Sequence, residues 1–247
     1  MVSALGPSDP WGVQKFPGKE QAVGLALVVP LIGPPAAGKT TLATLLGNAP
    51  GRQIFRLREH IPKDVLTATA VNSRRLGWID DLTVAEAVGS YFATVEADTH
   101  TVLLDNFPGS ARQVDQLLAT LRPLAPLCRV EAIEVVTDAK TLKQRALSRK
   151  VCHSCEHDPI SDPRLPAIAT RDDPWICSKC GGLLHPRRGD SPRLLKARLQ
   201  RYHESAPGIR AAFAAARIPL TRFDTTTTIS QAVNLLAPLL VSRSAAS

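Results

Sequence analysis

Aromatic residues are scarce in this 247-residue chain: they make up 4% of it, with two Tyr, three Trp and six Phe. So thin a supply leaves little for the stacking platforms that read single-stranded nucleic acid, and it argues against an RNA or single-strand binder. Long apolar runs are also lacking. The most prominent, LALVVPLI at 25–32, is too short to span a bilayer, so no membrane segment is expected. Lys15 and Lys19 before it and PPAAG after it imitate a signal peptide, but the stretch leads into GKTT and reads better as a buried parallel strand. Acidic residues are outnumbered, 22 against 30 basic ones, for a formal charge of +8. That balance suits a polyphosphate ligand, nucleic acid or an anionic surface, and equally a merely solvated basic face. Cysteines number five, four of them in two C-x-x-C pairs. This usage favours metal over disulfides and a cytoplasmic setting, with Cys128 as a buried spare thiol.

What is present begins with a core: 44% of the residues are hydrophobic, enough for one sizeable domain with insertions. Gly33-Pro34-Pro35-Ala36-Ala37-Gly38-Lys39-Thr40 fits G-x-x-x-x-G-K-[ST], between a strand and the helical TTLATLLG. Small residues let successive backbone N–H groups turn inward, and the helix N-terminus adds partial positive charge for a phosphate. Lys39 supplies a mobile charge for the terminal phosphates, and Thr40 a hydroxyl for Mg2+. A chance match in a chain of this length is on the order of one in a hundred, so a phosphate-binding loop is expected. TVLLD at 101–105 closes a second strand on Asp105, either beside the phosphates as a Mg2+ or water ligand or as a simple cap. Further strands are expected at 130–136 and 218–223. Helices are expected near 41–47, 111–121, 139–149, 192–205 and 229–241, and the alternation implies a doubly wound α/β core.

Cys152, Cys155, Cys177 and Cys180 form a closed four-thiolate set for a structural zinc, with a redox pair as the other reading. The surrounding 150–188 segment is too small to hold itself together by burial, which is a reason for a metal staple. His153 and His185 are spare ligands. Arg145 and Arg149 precede this flap, while Arg187, Arg188 and Arg198 follow it. Closed over a triphosphate, such charges would exclude water; otherwise they form a solvated basic face. Ser191 and Pro192 read as the cap and first residue of the next helix.

Together, GPPAAGKTTLA, LLDNFPGSARQ, RALSRKVCHSC and CSKCGGLLHPRRGDSPRLLKARLQRYHE resemble the adenylate kinase family of nucleoside monophosphate kinases in its zinc-lid form. The resemblance implies a P-loop NTPase three-layer α/β fold with a five-stranded parallel sheet, a helical acceptor-binding insertion and a zinc-stapled lid. It divides the chain into a flexible leader (1–22), a core (23–56, 100–149 and 189–243), an acceptor-binding insertion (57–99) and a lid (150–188). It implies ATP, Mg2+ and structural Zn2+, a nucleotide-like phosphate acceptor, and a monomer with no membrane or nucleic-acid partner. Gly33, Ala36, Ala37, Gly38, Lys39, Thr40 and Thr41 would hold the donor phosphates. Arg145 would lie near the donor base, with Arg149, Arg187 and Arg198 around the transferring group. Asp105 would support Mg2+, and Gln113 would contact the acceptor's base.

The chain departs from that pattern on the acceptor side. Gly109 stands where the family has arginine after D-G-F-P, and FRLREHIPKD puts Pro62 where a second arginine is expected. Losing a bidentate clamp leaves no automatic substitute; Arg56, Arg58 and Arg112 are the nearby cations. Gly189 replaces one of the lid's paired aspartates, leaving Asp190. A nucleoside monophosphate held by relocated arginines is one expectation. The other is a hydroxyl acceptor, a nucleoside or specialised metabolite, with Glu59 or Asp105 as base. From a different class comes a non-catalytic nucleotide-binding or zinc-dependent nucleic-acid module.

Overall fold

The computed structural model describes residues 24–71, 77–157, 163–226, 233, 234 and 236. The expected leader (1–22) and most of the expected 229–241 helix lie outside the described residues, although 233, 234 and 236 are helical. In chain order the elements are β1 (Leu27–Ile32), α1 (Lys39–Gly47), β2 (Arg52–Phe55), α2 (Lys63–Val71), α3 (Asp81–Ala93), β3 (Thr101–Asp105) and α4 (Ala111–Leu121). There follow β4 (Arg129–Val130), β5 (Ala132–Val136), α5 (Ala139–Ser148), β6 (Lys150–Cys152), β7 (Leu184–Pro186), α6 (Pro192–Ala215) and β8 (Leu220–Asp224).

All pairings in the main sheet are parallel, in the order β2-β3-β1-β5-β8, with β4 beside β1. Strand β1 is buried along its whole length, as a strand covered on both faces must be. Its alternation sorts the layers: Leu27, Val29 and Leu31 pack with α1 and Leu236, while Val28 faces the cluster of α3 and α4. The expected single strand at 130–136 is in fact two. β4 pairs with β1 at Leu27 and Val28, and β5 resumes at Leu31 and Ile32. The ladder on that side is interrupted across Val29 and Pro30, where the proline has no N–H to offer.

Some of the few aromatics cluster at the end of β2. Phe55 lies 4.8 Å from Tyr91, 5.0 Å from His60 and 5.7 Å from Phe107 between ring centroids, which fixes the end of β2 and so the start of Arg56. Helix α6 is tied to the sheet through Glu134, a fully buried carboxylate on β5 that accepts from Tyr202 and from Nε and Nη2 of Arg210. Although burial pushes the Glu134 carboxyl up, these partners win and hold it below its ordinary value. Strands β6 and β7 pair antiparallel in a separate two-stranded sheet. No helix among the described residues is long and apolar enough to cross a membrane.

Candidate active site

The loop after β1 has the geometry of an anion cradle. Gly33, Ala36 and Gly38 all have positive φ (146°, 63° and 97°), and a Cβ on Gly33 would lie 2.2 Å from the Val135 carbonyl oxygen. Helix α1, whose second and third residues are Thr40 and Thr41, begins with Gly38 at its cap and no side-chain capping bond. Its first N–H groups are therefore left to an incoming anion. Buried Lys39 folds over the loop, its Nζ donating to the carbonyls of Gly33 and Pro34 at 2.7 Å each. Burial lowers its pKa from 10.5 to about 7; Asp105 opposes that fall, and Arg198 and Arg149 deepen it.

Register places Asp105 of β3 opposite Leu31 of β1, next to the loop. Its carboxylate accepts from the Thr40 hydroxyl at 3.1 Å. Burial pushes the Asp105 carboxyl up, against the pull of Lys39, Thr40 and Arg56. Arg56 enters the same crevice from β2, with Nε 3.4 Å from Asp105 Oδ2 and Nη2 donating to Thr44. Its buried Nε is held in that ion pair without a hydrogen bond.

Arg149, Arg187 and Arg198 converge on one carboxylate. Asp190, 4% exposed, accepts from Arg149 Nε at 2.6 Å, and lies 3.3 Å from Arg198 Nη1 and 3.6 Å from Arg187 Nη1. Three guanidiniums around one carboxylate leave the cluster strongly cationic. Burial and the neighbouring Arg187 bring the Arg198 pKa down to about 10, with Asp190 opposing. Arg145 goes elsewhere: it donates to the hydroxyl and carbonyl oxygen of Thr225, whose hydroxyl in turn donates to the Ala37 carbonyl at 2.8 Å. Thr225 thus links the phosphate loop to α5, and nothing in the TTTT tract announced it. Ser191 does occupy the cap of α6, with Pro192 first in the helix, but its side chain makes no capping bond.

Other expected residues are spread around the insertion. Arg58 Nη1 donates to the Gly77 carbonyl at 3.3 Å. Glu59 is engaged by Arg164 at 2.6 Å, so its carboxylate is an ion-pair partner joining the 57–99 and 150–188 segments. Arg112 stands on the surface, its side chain 74% exposed and 3.5 Å from Asp81. Buried Gln113 accepts from the Gly109 N–H at 2.8 Å and donates to Asp81 at 3.4 Å. Residues that the sequence did not single out are Thr225 and Arg164. Asp190 was noted only as the survivor of a pair.

Within the lid, the sulfurs of Cys152, Cys155, Cys177 and Cys180 all lie within 4.8 Å of one another. Cys152 and Cys180 are 3.4 Å apart, and Cys155 and Cys177 3.7 Å. These separations are far too long for disulfides and close to the roughly 3.8 Å between sulfurs of a tetrahedral site with Zn–S near 2.3 Å. The donor set fits zinc with no open position. The apolar support is small, Leu184 with Ala167 and Ala169 against the cysteines, as a stapled unit requires.

Comparison with known proteins sharpens the reading. No protein-family model matches the chain. Curated relatives do: the adenylate kinase of Symbiobacterium thermophilum is 30% identical over 192 residues, covering 72% of this chain and 82% of the relative. The adenylate kinase of Syntrophotalea carbinolica is 29% identical over 187 residues, 72% of this chain and 82% of its own. That of Borreliella burgdorferi is 25% identical over 177 residues, covering 69% and 78%.

Proposed function

Since the chain belongs to the adenylate kinase family and is a phosphotransferase, we propose that it transfers the γ-phosphoryl group of Mg-ATP to a nucleoside monophosphate or a closely similar phosphate acceptor. One observation carries this: Arg149, Arg187 and Arg198 meet at Asp190, and the charges of Arg149 and Arg198 reach Lys39. Phosphoryl transfer runs through a loose transition state whose charge sits on the equatorial oxygens, so positioned cations supply most of the catalysis. A bond forms from an ionised acceptor oxygen to the γ-phosphorus as the bond to the β,γ-bridging oxygen breaks. The electron pair stays on the departing diphosphate, and no protein base is needed. Thr40 and Asp105 are the residues that would hold Mg2+, which supplies charge neutralisation on the donor phosphates when bound. In our assignment the 57–99 segment receives the acceptor, the 150–188 segment closes as a zinc-stapled lid, and Arg145 acts through Thr225 on the donor loop.

Arg56 is the acceptor-side cation, on the strength of its place in the crevice, ion-paired to Asp105 and donating to Thr44. A hydroxyl acceptor is the second reading, favoured by the glycine at 109; Asp105 would then be the base, because Glu59 is paired with Arg164. The test is a panel of nucleoside monophosphates, nucleosides and other alcohols with Mg-ATP, with products identified and Lys39→Met as control. Acceptor-dependent ADP formation with a nucleoside diphosphate as second product is expected. Turnover confined to alcohols would sink the first reading, and salt-dependent nucleic-acid binding without turnover would sink both.

A further inference from the structure

The carboxylate of Glu59 has two claimants on a single oxygen. Arg164 Nη1 stands 2.6 Å from Glu59 Oε1, and Arg56 Nη1 stands 3.8 Å from the same atom. Arg56 leads from the end of β2 into the phosphate crevice, where its Nε lies 3.4 Å from Asp105 and its Nη2 donates to Thr44. Arg164 belongs to the 150–188 segment and is rooted there. Its backbone N–H and its Nε both donate to Glu156 Oε1, at 2.9 and 3.0 Å, and the Leu165 N–H donates to Glu156 Oε2. Glu156 directly follows Cys155, and its own N–H donates to the Cys152 carbonyl, so the anchor of Arg164 is built onto the four-cysteine site. Pro163, the residue before Arg164, accepts from Arg187 Nε, and Arg187 belongs to the cluster at Asp190. Although burial pulls the Arg164 guanidinium down, Glu59 and Glu156 win and hold it above its ordinary pKa. The charges from the cysteine site to the crevice thus alternate in sign: Glu156, Arg164, Glu59, Arg56, Asp105. In such a row, an ion satisfied by one neighbour pulls less on the other. With Arg164 on Oε1, Glu59 is neutralised and Arg56 is left to Asp105. Without it, the partly exposed Glu59 and the buried Asp105 compete for one guanidinium.

We propose that Arg164 is a positioning residue for phosphoryl transfer: by occupying Glu59 it keeps Arg56 in the crevice, so that seating of the 150–188 segment prepares the acceptor side. This deepens, and rests on, the assignment of Arg56 as the acceptor-side cation. The same movement that encloses the donor phosphates then supplies the acceptor with its cation. With the segment away, Glu59 draws Arg56 off Asp105 and the acceptor site is weakened, which disfavours binding of an acceptor before the donor is enclosed.

The experiment uses the full-length, zinc-loaded chain with Mg-ATP and the best monophosphate from the acceptor panel. Arg164→Gln is expected to raise the KM for that acceptor about three- to tenfold, the scale of one partly exposed ion pair within a network, with the KM for ATP within about twofold of the parent. Arg164→Lys should keep most of the parent's affinity, since a charge on Glu59 Oε1 is what the arrangement needs. The decisive variant is Arg164→Gln/Glu59→Gln: with no charge left at 59 to draw Arg56 away, its acceptor KM should return toward the parent's. A mere tie between two segments predicts a double variant no better than the single one. That result overturns the inference, as does an unmoved acceptor KM in Arg164→Gln. Should Arg164→Gln fail to fold by circular dichroism, Arg164→Met, which keeps the apolar stem, takes its place in both backgrounds. Arg56→Gln in the parent tests the assignment beneath: an unmoved acceptor KM there overturns that assignment and this inference with it. A raised one beside an unimproved double variant overturns this inference alone, and turnover of alcohols only overturns the phosphate-acceptor reading as well.

Discussion

The lowered pKa of Lys39 makes donor binding depend on pH in a direction and amount that can be worked out. Without ligand the ammonium titrates near 7, chiefly because it is buried, although it donates to two carbonyl oxygens. A triphosphate placed against it favours the charged form and lifts that value out of the neutral range. Only the protonated lysine offers the full attraction, so affinity is flat well below pH 7 and falls above it. One unit above the free value, about one lysine in eleven is protonated, and binding is weaker by about tenfold, or ~1.4 kcal/mol. Isothermal titration at saturating Mg2+ from pH 6 to 9, in two buffers of different ionisation heat, reads both consequences. The affinity should drop about tenfold per unit above neutrality, and close to one proton should be taken up per ATP bound near pH 8.5. Lys39→Arg, whose guanidinium does not titrate in this range, should show neither. Wild-type protein binding Mg-ATP with no proton uptake and no slope would refute the reasoning. Linkage in the free protein has its own sign: between about 7 and 10.5 the unfolded chain holds the proton that the folded one lacks, so stability should rise with pH across that window.

Replacing Asp190 by Asn strands three guanidiniums around a neutral group. The apo protein should lose about 3 kcal/mol, a Tm fall on the order of 6–12 °C in a scanning melt. Saturating Mg-ATP should restore more of the Tm in the variant than in the parent, because the phosphates supply the missing negative charge; an unchanged apo Tm would show that the arginines do not need the carboxylate. Gly33→Ala drives a methyl to 2.2 Å from the Val135 oxygen at a φ of 146°, so a destabilisation of at least 1–3 kcal/mol is expected, together with loss of ATP binding by titration. About one zinc per chain should be found by elemental analysis. After thiol-directed metal release and restoration of Mg2+, kcat should fall and the lid should become protease-sensitive while the far-ultraviolet spectrum of the core persists. Full activity in a zinc-free chain would exclude the staple.

Much of this protein was readable before any coordinates, wherever the chemistry is local. The phosphate loop is eight consecutive residues whose small side chains and lysine are chemically committed together, and it forms as expected from Gly33 to Thr40. Helix α4 runs from 111 to 121 as its spacing implied, with Ser110 accepting from the Gln113 N–H at its start. The cysteine pairs announce their own meeting. Other features depend on segments far apart in the chain, and no pattern within one segment encodes them. The break between β4 and β5 follows from a proline on the neighbouring strand. Asp190 became the centre of three arginines because the end of α5, the lid's return and α6 converge there. Thr225 mattered only once β8 had brought it under the loop. Backbone conformation and covalent spacing are properties of neighbours in sequence; the charge environment of a crevice is set by whichever side chains the packed sheet and helices bring within a few ångströms.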